Sequence, residues 1–339
     1  MSMERLNVTT DRGENLSLST DRRDRLGVGG QGQVFRTRFN GGIVAAKIFA
    51  THQRVEDERL RALQRLEPRC GRLATFPIRL LYGDKSGSTR GGSGARQPIG
   101  YLMRWIDPAT SLSAVRLSNF QEIERLQRFT WQDAVLAALR LAESVAALHQ
   151  LGVVIGDLNS ENVVFEQQSG SSGRSTWRAV LLDSDSFQVR ADHGLLFPCP
   201  VSRPPTTAPE LVGVDLSRVE RHASADTFAL AVLIHQILLH DHPYDNAIYP
   251  RQPELPVSEK IKRGLYPHAA IPIEGLSSAP CRPVPHQISE EIDAAFRRSF
   301  HPSADHPCGG IRPTAASWAA LLRRLHASLV RCKASPHHH

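Results

Sequence analysis

Apolar positions recur every second residue early in the chain and every three or four residues later, and the change falls near residue 105. In "GGIVAAKIF", Val44, Ala46 and Ile48 fall on one face and Ala45, Lys47 and Phe49 on the other, the period of a strand. Residues 16–49 read as strands and turns. The stretch "QRVEDERLRALQRLEP" predicts a helix with Leu60, Leu63 and Leu66 as its apolar stripe and Pro68 as its stop. Two further strands, "FPIRLLYG" and "PIGYLMRWI", flank the Gly/Ser-rich loop "DKSGSTRGGSGARQ". Past Asp107, "TWQDAVLAALRLAESVAALHQLG" predicts a helix with Thr130 as N-cap, Val135, Leu139, Ala142 and Val145 on one stripe, and Gly152 at its end. Short strands are expected around Val163 and Leu181. A Pro-rich loop then runs to about Pro209. "ADTFALAVLIHQILLH" is apolar on nearly every side and predicts a buried central helix. A Pro-rich stretch (243–285) and helices near 288–300 and 314–331 complete the chain. The layout is α+β: a small strand-rich lobe over 1–104, a large helical lobe over 105–333, and a tail, 334–339, whose histidines look like a tag remnant.

Composition narrows the function classes. The 41 Lys and Arg against 34 Asp and Glu give a net charge of +7 without a block of like charges, which reads as a mildly basic solvated surface. Aromatic residues do not interleave with basic ones, so no nucleic-acid partner is expected. The cysteines at 70, 199, 281, 308 and 332 lack metal-knuckle spacing and read as reduced thiols of a cytoplasmic protein. No apolar run reaches membrane-spanning length, and no membrane association is expected of this sequence.

"GVGGQGQVF" places Gly27, Gly29 and Gly32 between two strand-like segments. A dinucleotide fingerprint would lead into a helix, so this arrangement predicts a hairpin that covers phosphates. An ammonium at Lys47, inside a half-buried strand, needs anions. A nucleotide phosphate and a carboxylate of the following helix would supply them, Glu58 first and Glu56 close behind. "IGDLNSENVVF" carries Asp157 and Asn162, and "VLLDSDSF" carries Asp183 and Asp185 after an apolar strand. Such oxygen donors suit Mg²⁺, which takes few protein ligands and completes its shell with phosphate oxygens. "TTAPEL" and "GGIRPTAASWAALL" predict a pair between Glu210 and Arg312, and Asp226 is placed to hold the backbone of the loop at Asp157.

Taken in order, these motifs resemble a eukaryotic-type Ser/Thr protein kinase domain over nearly the whole chain. Gly27, Gly29 and Gly32 match the Gly-rich loop, Ala45 and Lys47 the "VAIK" strand, Asp157 and Asn162 the catalytic loop. Asp183 matches the "DFG" Asp, and Ala208–Pro209–Glu210 the "APE" triplet. The resemblance implies a bilobal kinase fold that uses ATP and Mg²⁺ to phosphorylate Ser or Thr in itself or a partner protein. Asp157 would be the base, Lys47 the phosphate anchor paired with Glu58, and Asn162, Asp183 and Asp185 the metal donors. Met103 would be the gatekeeper, Arg104 to Ile106 the adenine hinge, and Val34, Ala45, Val164 and Leu182 the adenine sandwich. "VVIGDLNSENVVF" and "DSDSFQV" further resemble an atypical bacterial branch with helix-hairpin-helix kinases and a tellurium-resistance-linked triad. That branch implies a PP2C-type phosphatase and a von Willebrand factor A protein as partners.

The chain departs from that pattern. Ile155 and Gly156 stand where kinases usually have His and Arg, Asn159 where they have Lys, and Ser184–Asp185 where they have Phe–Gly. Gly156 cannot receive an activating phosphate, so no activation through that position is expected. The loss of a Lys at Asn159 removes a positive charge from a reaction that depends on charge neutralisation. These changes motivate the alternative of a nucleotide-binding scaffold without turnover.

Overall fold

The computed structural model describes residues 5–51, 56–83, 97–126, 129–169, 175–245, 247–249, 254–280, 283–301 and 312–330. Most of the Gly/Ser-rich loop after residue 83, Cys281, Cys308, Cys332, Gly309 and the terminal histidines lie outside these residues. The chain divides into two compact units. One holds residues 1–107, 183–185 and 189–197, and the other holds 108–182, 186–188 and 198–339.

The first unit is built on a seven-stranded antiparallel sheet. Its strands are β1 (Arg5–Thr10), β2 (Asn15–Ser19), β3 (Arg25–Gly29), β4 (Gly32–Phe39), β5 (Gly42–Phe49), β6 (Pro77–Gly83) and β7 (Gly100–Arg104), in the order β2-β1-β6-β7-β5-β4-β3. β1 was not anticipated from the sequence, although Leu6 and Val8 alternate within it. Val8, Leu18, Ala46, Leu81 and Leu102 form the core of one sheet face, with Val44 and Ile48 packed beside them. The face of β5 that carries Ala45 and Lys47 is also buried.

Helix α1 (Asp57–Cys70) buries Leu60 and Leu63. It does not stop at Pro68 but runs on to Cys70. A proline lacks only its own N–H, so in the last turn it removes one bond, and the helix still closes through Gly71 N–H on the Glu67 carbonyl at 2.7 Å.

In the second unit β8 (Ser111–Ser113), α2 (Ala114–Leu117) and α3 (Phe120–Glu124) precede the long α4 (Trp131–Gln150). Thr130 and Asp133 form a reciprocal capping box at its start, and Val135, Leu139, Ala142 and Val145 are buried. Its Ser144 hydroxyl donates to the Ala179 carbonyl at 3.0 Å, which docks the hairpin of β9 (Val163–Ser169) and β10 (Ser175–Leu181). Helix α5 (Ala223–Leu239) is buried almost all round, as its composition predicts. A short helix, α6 (Val257–Lys262), interrupts the Pro-rich stretch, and α7 (Glu290–Ser299) and α8 (Ala315–Ser328) follow. The expected pair forms: Arg312 Nη1 and Nη2 donate to the two carboxylate oxygens of Glu210 at 2.8 and 3.0 Å.

His235 of α5 is fully enclosed, with Nδ1 2.7 Å from the Asp241 carbonyl and its ring against Phe296. Burial pushes its pKa down to about 3, only partly offset by that carbonyl. The unfolded chain therefore takes the proton first as pH falls. This group's contribution is complete above the ordinary histidine value of 6.5 and is lost as pH falls toward about 3. The expected loss is about 1.4 kcal/mol per pH unit within that window. Denaturant midpoints measured from pH 7.5 to 5 should fall, and His235→Asn, which keeps an N–H for Asp241, should flatten the slope. An unchanged slope in the variant would rule this cause out.

Candidate functional site

Strand β5 carries Lys47 opposite Val34 of β4 and Tyr101 of β7, while Ala45 lies opposite Met103. The Lys47 side chain is only 4% exposed, and its Nζ donates to Asp185 Oδ1 at 2.7 Å, Asp183 Oδ1 at 3.3 Å and Gln31 Oε1 at 3.5 Å. Burial alone would pull the Lys47 pKa down. Asp185, then Asp183, outweigh that effect, and the pKa is raised. The phenol of Tyr101 donates to the same Asp185 oxygen at 2.8 Å. Its pKa is driven far up by burial and by that carboxylate, so it stays a neutral donor.

One expectation is corrected here. Lys47 is paired with Asp185 and Asp183 rather than with Glu58. The Glu58 carboxylate instead meets His193 Nδ1 at 3.0 Å, and Glu56 is exposed at the N-cap of α1. Asp185, expected as a metal donor, has a side chain 3% exposed, with one oxygen engaged by both Lys47 and Tyr101. The physical reason lies in the turn after β10. Asp183 adopts φ +53°, and the following Ser184 hydroxyl donates to the Thr75 carbonyl at 2.8 Å. The turn thereby carries the Asp185 carboxylate inward to a buried cation, and a buried charge needs such a partner. Asp183 keeps a half-exposed carboxylate, which fits a hard divalent cation.

The glycines play unequal parts. Gly27 and Gly29 lie on β3 with open space where a Cβ would stand, whereas a Cβ on Gly32 would sit 2.2 Å from the Ile48 carbonyl oxygen. Gly32 is therefore demanded by the close approach of β4 to β5, and Gly27 and Gly29 are not demanded by packing. Arg104 ends β7, and Trp105 and Ile106 follow it, half-buried.

The second unit holds Asp157 and Asn162. Asn162 Nδ2 donates to Asp157 Oδ2 at 3.2 Å and to the Asp157 carbonyl at 3.1 Å. The loop that bears them is fixed from below by Asp226, at the head of α5. Asp226 Oδ2 accepts from Ile155 N–H at 2.7 Å, Oδ1 accepts from Gly156 N–H at 2.8 Å, and His149 Nε2 lies 2.9 Å from Oδ2. Asn159 braces the same loop. Its Oδ1 accepts from Glu161 N–H at 3.0 Å, and its Nδ2 donates to the Asp157 carbonyl at 3.0 Å. A lysine there could not accept the Glu161 bond. Val164 is half-buried on β9, and Leu182 N–H donates to the Asn162 carbonyl at 2.8 Å.

Sequence reasoning missed Tyr101 and His149. Tyr101 reads as one more apolar strand residue. The signal for His149 was its place in the last turn of α4, beside the loop. His242 lies with Nε2 2.8 Å from the Pro205 carbonyl. Among the described residues no cluster of His, Cys, Asp and Glu forms a ready metal site, and no helix is long and apolar enough to cross a membrane.

These geometries can be set beside known proteins. No family model matches the chain. Protein kinase YegI of Escherichia coli O157:H7 is 30% identical over 254 residues, covering 73% of this chain and 37% of that protein. Protein kinase YegI of Escherichia coli K12 is 26% identical over 343 residues, covering 98% of this chain and 48% of that protein. The chain thus spans less than half the length of these curated relatives. Among solved structures, the kinase domain of a Toxoplasma gondii specific rhoptry antigen superposes with a TM-score of 0.54 at 16% identity, over 96% of this chain and 87% of that one.

Proposed function

We propose, starting from a protein-kinase-like fold and sequence homology to the protein kinases YegI, that the chain is an ATP- and Mg²⁺-dependent Ser/Thr protein kinase. The observation that carries the reading is the Asp157 carboxylate, held by Asn162 on a loop pinned to Asp226. In this reading Asp157 accepts the proton of a Ser or Thr hydroxyl as that oxygen attacks the γ-phosphorus, and ADP leaves with the electrons of the broken Pβ–O–Pγ link. Lys47 is the cation for the nucleotide phosphates, and Ala45, Met103 and the residues after β7 are adenine contacts. Asp183 and Asn162 are the residues that would hold Mg²⁺, which when bound neutralises phosphate charge. A PP2C-type phosphatase and a von Willebrand factor A protein remain its proposed partners.

The test is phosphate incorporation from ATP and Mg²⁺ into the chain and a generic protein substrate, read by intact mass beside Lys47→Met. Incorporation by the wild type alone supports the reading. Asn159, with both polar ends engaged in backbone turns, favours a second one: a scaffold that binds nucleotide without turnover. Nucleotide binding with no incorporation under any condition would select it.

A further inference from the structure

Gly156 has φ +75°, and a Cβ there would lie 2.5 Å from Cys199 Cβ and 3.0 Å from Arg221 Nη1. The position where the resemblance expects an arginine is thus closed to any side chain. Another arginine fills the space. Arg221, on the segment leading into α5, is 2% exposed. Its Nη1 donates to the Gly156 carbonyl, and Nη2 donates to the carbonyls of Cys199 at 2.8 Å and Val201 at 2.7 Å. No carboxylate among the described residues pairs with it. Its backbone is locked as well: Arg221 N–H donates to Gln188 Oε1 and Gln188 Nε2 donates to the Arg221 carbonyl, both at 2.8 Å. Gln188 in turn exchanges backbone bonds with Val154 at 2.8 and 3.3 Å.

A buried guanidinium without a counter-ion is costly, and it persists where its donors bind something the fold needs held. Here they hold the carbonyls of two segments together: the loop that ends in Asp157 and the stretch Cys199–Val201. Beyond that stretch, Thr207 Oγ1 donates to the Arg203 carbonyl at 2.8 Å, and Arg203 pairs with Glu161 at 2.6 Å.

We infer that Arg221 is a positioning residue that ties the Cys199–Thr207 segment to the catalytic loop with a permanent internal cation, so that the loop is ordered without phosphorylation of Thr206 or Thr207. The inference rests on the kinase reading for its kinetic part only. Both outer nitrogens of Arg221 are taken up by carbonyls, which leaves it no role as a phosphate receiver.

The test compares wild type, wild type treated with a PP2C-type phosphatase, Arg221→Met, Arg221→Lys and Gly156→Ala. Readouts are kcat, KM for ATP, and deuterium uptake of peptides spanning 198–207. Phosphatase treatment should leave kcat unchanged. Arg221→Met should lower kcat by about 10- to 100-fold with KM for ATP within about twofold, because a displaced base costs rate rather than nucleotide affinity. Uptake at 198–207 should rise in the same variant. Gly156→Ala, which pushes a methyl group against Arg221 and Cys199, should act in the same direction, and Arg221→Lys should recover part of the loss. Loss of activity on phosphatase treatment would overturn the inference, as would folded Arg221→Met or Gly156→Ala with wild-type kcat and uptake. An inactive wild type would count against the kinase reading alone; unchanged uptake in the variants would still overturn the tie.

Discussion

Asp157→Asn should transfer phosphate at least about 10²- to 10⁴-fold more slowly than wild type, the usual worth of a positioned general base. The substitution is close to isosteric. Asn162 donates to Asp157 Oδ2 at 3.2 Å, and an amide oxygen at 157 can accept the same bond. The backbone of the loop depends on Asp226 and Asn159 rather than on the 157 carboxylate, so the variant should keep its fold and its affinity for ATP. On the proposed kinase reading, what it loses is the group that takes the hydroxyl proton. Single-turnover transfer, nucleotide affinity and thermal midpoint, measured together, separate these effects. A wild-type rate in the variant would remove Asp157 from the mechanism.

Asp185→Ala should cost more than any change at Glu58. Lys47 and Asp185 are both almost fully enclosed, and removing one member of a buried ion pair costs about 3–5 kcal/mol because the other charge stays behind uncompensated. Tyr101 would lose its acceptor at the same time. Asp183, at 3.3 Å and 47% exposed, is a weaker substitute. The variant should show a large drop in denaturant midpoint and weaker ATP binding, since nothing would aim the Lys47 ammonium. Glu58→Gln should change ATP affinity by less than about twofold, since among the described residues Glu58 pairs with His193, at a half-exposed site. If Glu58→Gln weakened ATP binding as much as Asp185→Ala, then Lys47 would be served by α1 in the working protein.

The contrast between these two carboxylates shows how far the sequence could be read. A helix carboxylate as partner for Lys47 is a fair expectation from spacing, because α1 follows β5 and its first turn is acidic. Spacing cannot reveal that the turn at Asp183 runs through positive φ, which sends Asp185 inward. Nor does it show that Tyr101, one residue among an apolar run, places its hydroxyl on that carboxylate. The departure at Asp185 was visible in the letters, but its role was not.

Patterns of local origin were legible in the chain. The period of two in β5 placed Lys47 on a buried face, Thr130 announced the start of α4, and the unbroken apolar run of α5 announced its burial. The Glu210–Arg312 pair and the hold of Asp226 on the loop were legible as well, from the motifs "TTAPEL" and "GGIRPTAASWAALL" and from the place of Asp226 at the head of the apolar run. The tertiary structure alone decided which acid meets Lys47, why Asn159 and not Lys follows Asp157 and Leu158, and why Gly156 has no side chain. Each of these depends on groups far apart in the chain that compete for one small volume. Periodicity records which face of an element is buried, but it holds no information about which distant partner fills the space against it.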